Sequence, residues 1–222
     1  MLARFILVFA LLSALPGCTS MSALGKARTL DAGTFQYGGE LITGAAVVER
    51  EDADTTALQM GASFAYGVTD HVEIGSRVWG IPTLTEWTWG GELQTKVQVV
   101  RPESASGAFQ LSLAPRISFH QLGKAESTWE HLSGTLALMM GFSPNEEIQF
   151  IVTPQFGGDI LMNAGSNDVV AFHAGGSFGV AWNVQACTTV LPNLTFMYTS
   201  TTLIDDEPIW LYQLSIAVLL DG

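Results

Sequence analysis

The sequence predicts an all-β chain: an antiparallel, up-and-down transmembrane β-barrel of about ten strands over residues 33–222. Three observations predict it. Segments of about ten residues alternate large apolar side chains with small or charged ones, the period-two pattern of a strand with two unlike faces. The connections between them alternate between tight turns and longer, more polar stretches, as in a barrel with turns at one end and loops at the other. The composition is 48% hydrophobic and only 14% charged, with 23 glycines, which is poor in the charge a soluble surface carries. Past residue 17 no apolar run approaches the roughly 18 residues of a spanning helix. A chain that meets lipid without such helices must close its strands to satisfy its backbone.

Residues 56–82 give the clearest hairpin. On its first arm Leu58, Met60, Phe64, Tyr66 and Val68 point one way, and Gln59, Gly61, Ser63 and Gly67 the other. The second arm sets Val72, Ile74 and Val78 against Glu73, Gly75, Arg77 and Trp79. A strand before it, 35–47, puts Phe35, Tyr37 and Leu41 outward and Gln36, Gly38 and Glu40 inward. Residues 87–101 alternate Trp87, Trp89, Leu93, Val97 and Val99 with Glu92, Gln94, Lys96 and Gln98. Further strands are read at 109–120, 132–142, 148–159, 169–182 and 188–198. The last, best patterned, runs to Leu220. Pro115 and Pro154 fall inside two of these strands. Proline removes a ladder donor, so each is expected to mark a bulge or a strand boundary. EREDADT, IPTLTE, QLGKAEST, ILMNAGSND and TSTTLIDDEP read as the longer connections, against VTD, PESASG, SPNEE and NVQA. Outward Trp87, Trp89, Trp182, Trp210 and Tyr212 are expected to form an interfacial aromatic girdle.

The amino terminus reads as a targeting signal. Arg4 supplies a positive start and 5–15 a short apolar run. Leu15-Pro16-Gly17-Cys18 then resembles the bacterial lipobox, with Pro16 a departure from the pattern. The resemblance implies removal of 1–17 and lipidation of Cys18. Thr19 after it, by similarity to enteric lipoproteins, implies the outer membrane. Residues 18–32 are then a periplasmic tether carrying Lys26 and Arg28. An even strand number puts both termini on the periplasmic side. An acylated Cys18 would leave Cys187 as the one free thiol, with no intramolecular disulfide to form. The stretch FAYGVTDHVEIG resembles a hairpin of many bacterial outer-membrane β-barrel proteins, in which an aromatic strand ends in glycine, an aliphatic residue, threonine and aspartate. That resemblance implies the barrel class and no substrate.

A net charge of −12 argues against nucleic acid as a partner. The expected partner is outer-membrane lipid, and no cofactor is expected. Inward Glu40, Glu73, Arg77, Glu92, Lys96 and Arg116 form a balanced set of three acids and three bases. They suit either a selective pore or a salt-bridged plug, and the balance favours the plug. His120, His131 and His173 fall inward near one end of their strands. They suit hydrogen-bonded lumen or rim positions better than a metal site, since no single element carries ligand spacing. His131-Leu132-Ser133 faintly resembles the His/Ser pair of outer-membrane lipid A deacylases, but Glu130 lies on the opposite face, so no enzyme is expected. The sequence reads as a small outer-membrane barrel with a structural or narrow-pore role. The alternative is a lipocalin-like periplasmic lipoprotein, which would need an apolar lumen and a polar exterior.

Overall fold

The computed structural model describes residues 25–48, 57–82, 87–102, 107–124, 127–163, 169–200 and 209–222. The proposed signal peptide and Cys18 lie outside these residues. Ten antiparallel strands close into one barrel, each paired with its neighbours in sequence and the last with the first. They are β1 Phe35–Val48, β2 Ala57–Thr69, β3 Val72–Pro82, β4 Trp87–Val100, β5 Ala108–Lys124, β6 Ser127–Ser143, β7 Ile148–Asn163, β8 Val169–Gln185, β9 Thr188–Ser200 and β10 Ile209–Asp221. Closure is carried by β1 and β10, in register from Gln36↔Asp221 to Val48↔Ile209. No edge strand is left with unpaired backbone groups.

The side-chain alternation resolves into a polar inside and an apolar outside. Leu41, Val78, Leu93, Ile117, Phe156 and Phe172 are exposed on the exterior, and Glu40, Glu73, Arg77, Lys96 and Gln98 are buried in the interior. A lipocalin-like barrel would have these two faces exchanged. Exterior aromatics gather toward both ends. Phe35, Tyr37, Phe64 and Tyr66 pack together near the terminal end, where β1 begins and β10 ends. Phe196, Tyr198, Trp210 and Tyr212 pack together near the other end. There Trp89 also lies tilted against Phe119, while Trp182 is exposed near the terminal end of β8. Trp87 lies in β4, and its side chain is outside the described residues.

Three expectations need correction. Pro115 and Pro154 mark neither bulges nor boundaries. Register is unbroken from Leu113↔Leu138 to Ile117↔Gly134 around Pro115, and from Thr153↔Ser177 to Gln155↔Gly175 around Pro154. On their other sides the ladder skips two pairs and resumes in the same register: Gln94↔Arg116 is followed by Val97↔Leu113, and Ala137↔Gln155 by Met140↔Val152. Pro192 behaves alike, between Gly179↔Asn193 and Trp182↔Val190. Each ring removes a donor from one ladder only, and the fixed φ of proline is compatible with extended backbone. The register shifts lie elsewhere, at Gly67/Thr69, Gln98/Val100 and Asn183/Gln185.

The second correction concerns the loops. QLGKAEST is mostly strand, because β5 runs to Lys124 and β6 starts at Ser127, with Lys124↔Ser127 as the last pair. ILMN likewise belongs to β7. Strands β5, β6 and β8 have 17 residues each, well beyond the roughly 9–11 that cross a membrane. The third follows from the second. The alternation of connection lengths is weaker than the sequence suggests, since the tightest connections, 70–71, 125–126 and 186–187, occur at both ends of the barrel.

Candidate functional site

The candidate site is the lumen. The register brings all six predicted lumen charges into three ion pairs. Glu73 and Lys96 are direct cross-strand partners on β3 and β4, and their side chains meet at 2.8 Å. Arg77 sits opposite Glu92 in the ladder but directs its guanidinium to Glu40, two strands away on β1. Gly61 makes that reach possible. It is the cross-strand neighbour of Glu40, and a Cβ there would lie 2.3 Å from the Glu40 carboxylate. Arg116 on β5 lies 3.8 Å from Glu92 and hydrogen-bonds Gln155 on β7. Gln155 in turn contacts the Met197 sulfur on β9 at 3.0 Å. Glu92, Arg116, Gln155 and Met197 are thus linked across β4, β5, β7 and β9, while Glu40–Arg77 joins β1 to β3 and Glu73–Lys96 joins β3 to β4. The Trp79 ring lies beneath Arg77, 5.3 Å from its guanidinium carbon, a favourable place for a desolvated cation.

Burial of these groups is near complete: Arg77 is 4% exposed, Lys96 2% and Arg116 5%. Buried charges at such depth persist only when paired and hydrogen-bonded, and the geometry supplies both.

Farther along the lumen, toward the end away from the termini, sits a second polar cluster. Asp159 on β7 holds His131 through one carboxylate oxygen at 3.0 Å and His173 through the other at 2.6 Å. Thr135 meets the other ring nitrogen of His173 at 3.0 Å, and Ser133, the cross-strand partner of Asp159, also bonds the carboxylate. His120 stands opposite His131 in the ladder, beside Trp79. Its ring nitrogens have no hydrogen-bond partner among the described residues. Among the described residues no group of three or more His, Cys, Asp or Glu side chains is arranged to hold a metal ion. His131 and Ser133 both point into the interior and Glu130 outward, so the H-x-S triplet faces the lumen.

Sequence reasoning missed two parts of this site. Asp159 was read as the end of a strand. Extending the parity of Gln149, Thr153 and Gln155 by two more steps would have placed it inside. The other is the segment 25–32, expected as a tether and found across the mouth of the barrel at the terminal end. The Ala27 amide donates to Gln149 Oε1 at 3.0 Å, and its carbonyl accepts from Ser112 at 2.6 Å. The Thr29 amide donates to Gln98 and the Leu30 amide to Glu73, at 2.8 and 2.9 Å. Lys96 caps the Lys26 carbonyl at 3.1 Å. Ala27 is fully buried against Ala114, Ala137 and Met139. Because these bonds run to main-chain atoms of the segment, no residue type in it announces them.

No protein-family model and no curated protein matches the chain. Among solved structures it is similar to the outer membrane protease OmpT from Escherichia coli, at 10% identity and TM-score 0.49, covering 91% of this chain and 99% of that one. It is similar also to an outer membrane channel from Pseudomonas putida F1, at 9% identity and TM-score 0.48, covering 90% of this chain and 100% of that one. A third is Neisserial surface protein A, at 11% identity and TM-score 0.45, with 85% and 98% covered. Likeness at this level does not extend to what those proteins cleave or conduct.

Proposed function

We propose that this protein is a small bacterial outer-membrane β-barrel whose lumen is closed at rest, with a structural rather than a porin role. The observation that carries the reading is the wetting of the two faces. An open channel would leave its lining accessible to water, whereas the inward charges are buried and paired. The exterior that is accessible is apolar, with aromatics toward both rims, as lipid contact requires. Carbonate-washed outer membranes should retain the full-length protein. Its recovery as a soluble periplasmic protein would sink the reading.

The anchor is a second part of the proposal. Cys18 carries a lipid, and the terminal end of the barrel faces the periplasm. The stretch from Cys18 to Gly25 reaches roughly 25 Å when extended, enough to join the barrel mouth to the adjacent leaflet. Metabolic labelling with a fatty acid should mark the native protein and not Cys18→Ala. An unlabelled native protein would leave an ordinary signal peptide.

A further inference from the structure

The segment that crosses the mouth is held differently from everything else in the barrel. Among the described residues, 25–30 make no backbone-to-backbone hydrogen bond; the nearest such bonds begin at Asp31, Gly33 and Thr34. Their anchors are bonds to side chains of β3, β4, β5 and β7, the Lys26–Asp221 ion pair, and the bonds of the Thr29 hydroxyl to the Asp70 carbonyl, Gln98 and Arg101. The segment can therefore leave without breaking a rung of the ladder. It also separates two cavities. On its outer side a cavity of about 240 Å³ is lined by Lys26, Arg28, Gln36, Glu73, Lys96 and Asp221. On its inner side a cavity of about 40 Å³ is lined by Gly25, Gln36, Glu73, Arg77 and Glu92. Gln36 and Glu73 belong to both. The inner one has a mixed polar and apolar lining and is large enough for water.

We propose that residues 25–30 are a displaceable plug, and that their departure joins the two cavities into a path for water and small inorganic ions along the β1–β4 wall. The proposal rests on the closed resting state argued above. Once the segment leaves, Lys96 and Glu73 lose their contacts to Lys26 and Leu30 and face the mouth. Carboxylates and cations alternate along the path, so it selects weakly between cations and anions. The Glu40–Arg77 and Glu92–Arg116 pairs remain as its narrowest point, which keeps the flux far below that of a porin.

Two variants displace the plug from opposite sides. Ala27→Glu puts a charge in the seat between Ala114, Ala137 and Met139. Gly141→Ala changes the wall instead, where a Cβ would lie 2.6 Å from that of Ala27. Full-length protein is reconstituted into potassium-loaded vesicles, and the same samples are treated with trypsin and their new N-termini read by mass spectrometry. In the unmodified protein the bonds after Lys26 and Arg28 resist cleavage and potassium release matches empty vesicles. In both variants those bonds are cut and release rises several-fold. Cleavage in the variants without added release overturns the plug and leaves the closed barrel standing. Equal cleavage in the unmodified protein, or resistance in both variants, shows the segment is not seated as described and overturns it too. Release from the unmodified protein with its segment uncut contradicts the closed barrel itself, and the plug with it.

Discussion

The two walls of the lumen are closed by different physics. On β1–β5 the inner face carries the Glu40–Arg77, Glu73–Lys96 and Glu92–Arg116 pairs, and Arg116 reaches on to Gln155 of β7. On β7–β10 near the terminal end, Ile151, Ala181, Leu191, Ala217 and Leu219 pack into a dry apolar cluster. One wall is filled by long charged side chains that neutralise each other; the other is filled as an ordinary protein core is. The charged wall fixes partners by geometry and is vulnerable to losing one of them. The apolar wall is indifferent to partners and vulnerable to lost volume. A barrel interior can thus be sealed either way, and this one uses both at once.

The largest effect should come from leaving a buried carboxylate alone. Arg77→Leu strands Glu40 and should cost about 3–5 kcal/mol, read as a lower midpoint of denaturant unfolding in detergent micelles. Glu40→Gln combined with Arg77→Leu should recover most of that loss, because the charge goes with its partner. A double variant as unstable as Arg77→Leu alone would mean that the pair is not what fills this wall.

The apolar wall should respond next. Leu191→Ala, on the inner face, should cost about 2–4 kcal/mol through the void it leaves, in the same unfolding assay. Leu194→Ala removes the same atoms from the outer face of the same strand and should cost less. Equal effects would erase the distinction between the faces of β9.

Asp159→Asn keeps the shape of the residue and removes its charge. His131 and His173 lose a charged acceptor, and a loss of about 1–2 kcal/mol is expected. Glu92→Gln should be milder still, about 1 kcal/mol, since its pair with Arg116 is long and Arg116 keeps Gln155. If Glu92→Gln proved the most damaging of these substitutions, the Glu92–Arg116 contact would be the keystone of the wall rather than Glu40–Arg77.

Much of this architecture was legible because strand parity is rigid. Once Phe64 faces outward, Gln59 must face inward, and the same two-residue step sorts Glu73, Arg77, Glu92, Lys96 and Arg116 without further information. Which acid meets which base was not legible. Arg77 stands opposite Glu92 in the ladder yet reaches Glu40 two strands away, in the space over Gly61. The prolines misled because a missing donor was taken to break a strand, whereas a two-sided strand can lose pairs on one side and hold register on the other. The loop reading fails at 121–130 because the polar residues there belong to strands that run on to Lys124 and begin again at Ser127. The segment 25–32 was illegible for a different reason: it has no periodicity, and the bonds that seat Ala27 and Leu30 use main-chain atoms that every residue possesses.

The central claim is that the lumen is closed at rest, and electrical recording of the unmodified, full-length protein in a planar bilayer tests it most directly. The current should stay at the baseline of the bare bilayer across the applied voltage range. Large, stable, porin-sized steps would show that Glu40, Glu73, Arg77, Glu92, Lys96 and Arg116 line an open channel, and the account of a charge-sealed wall would be wrong.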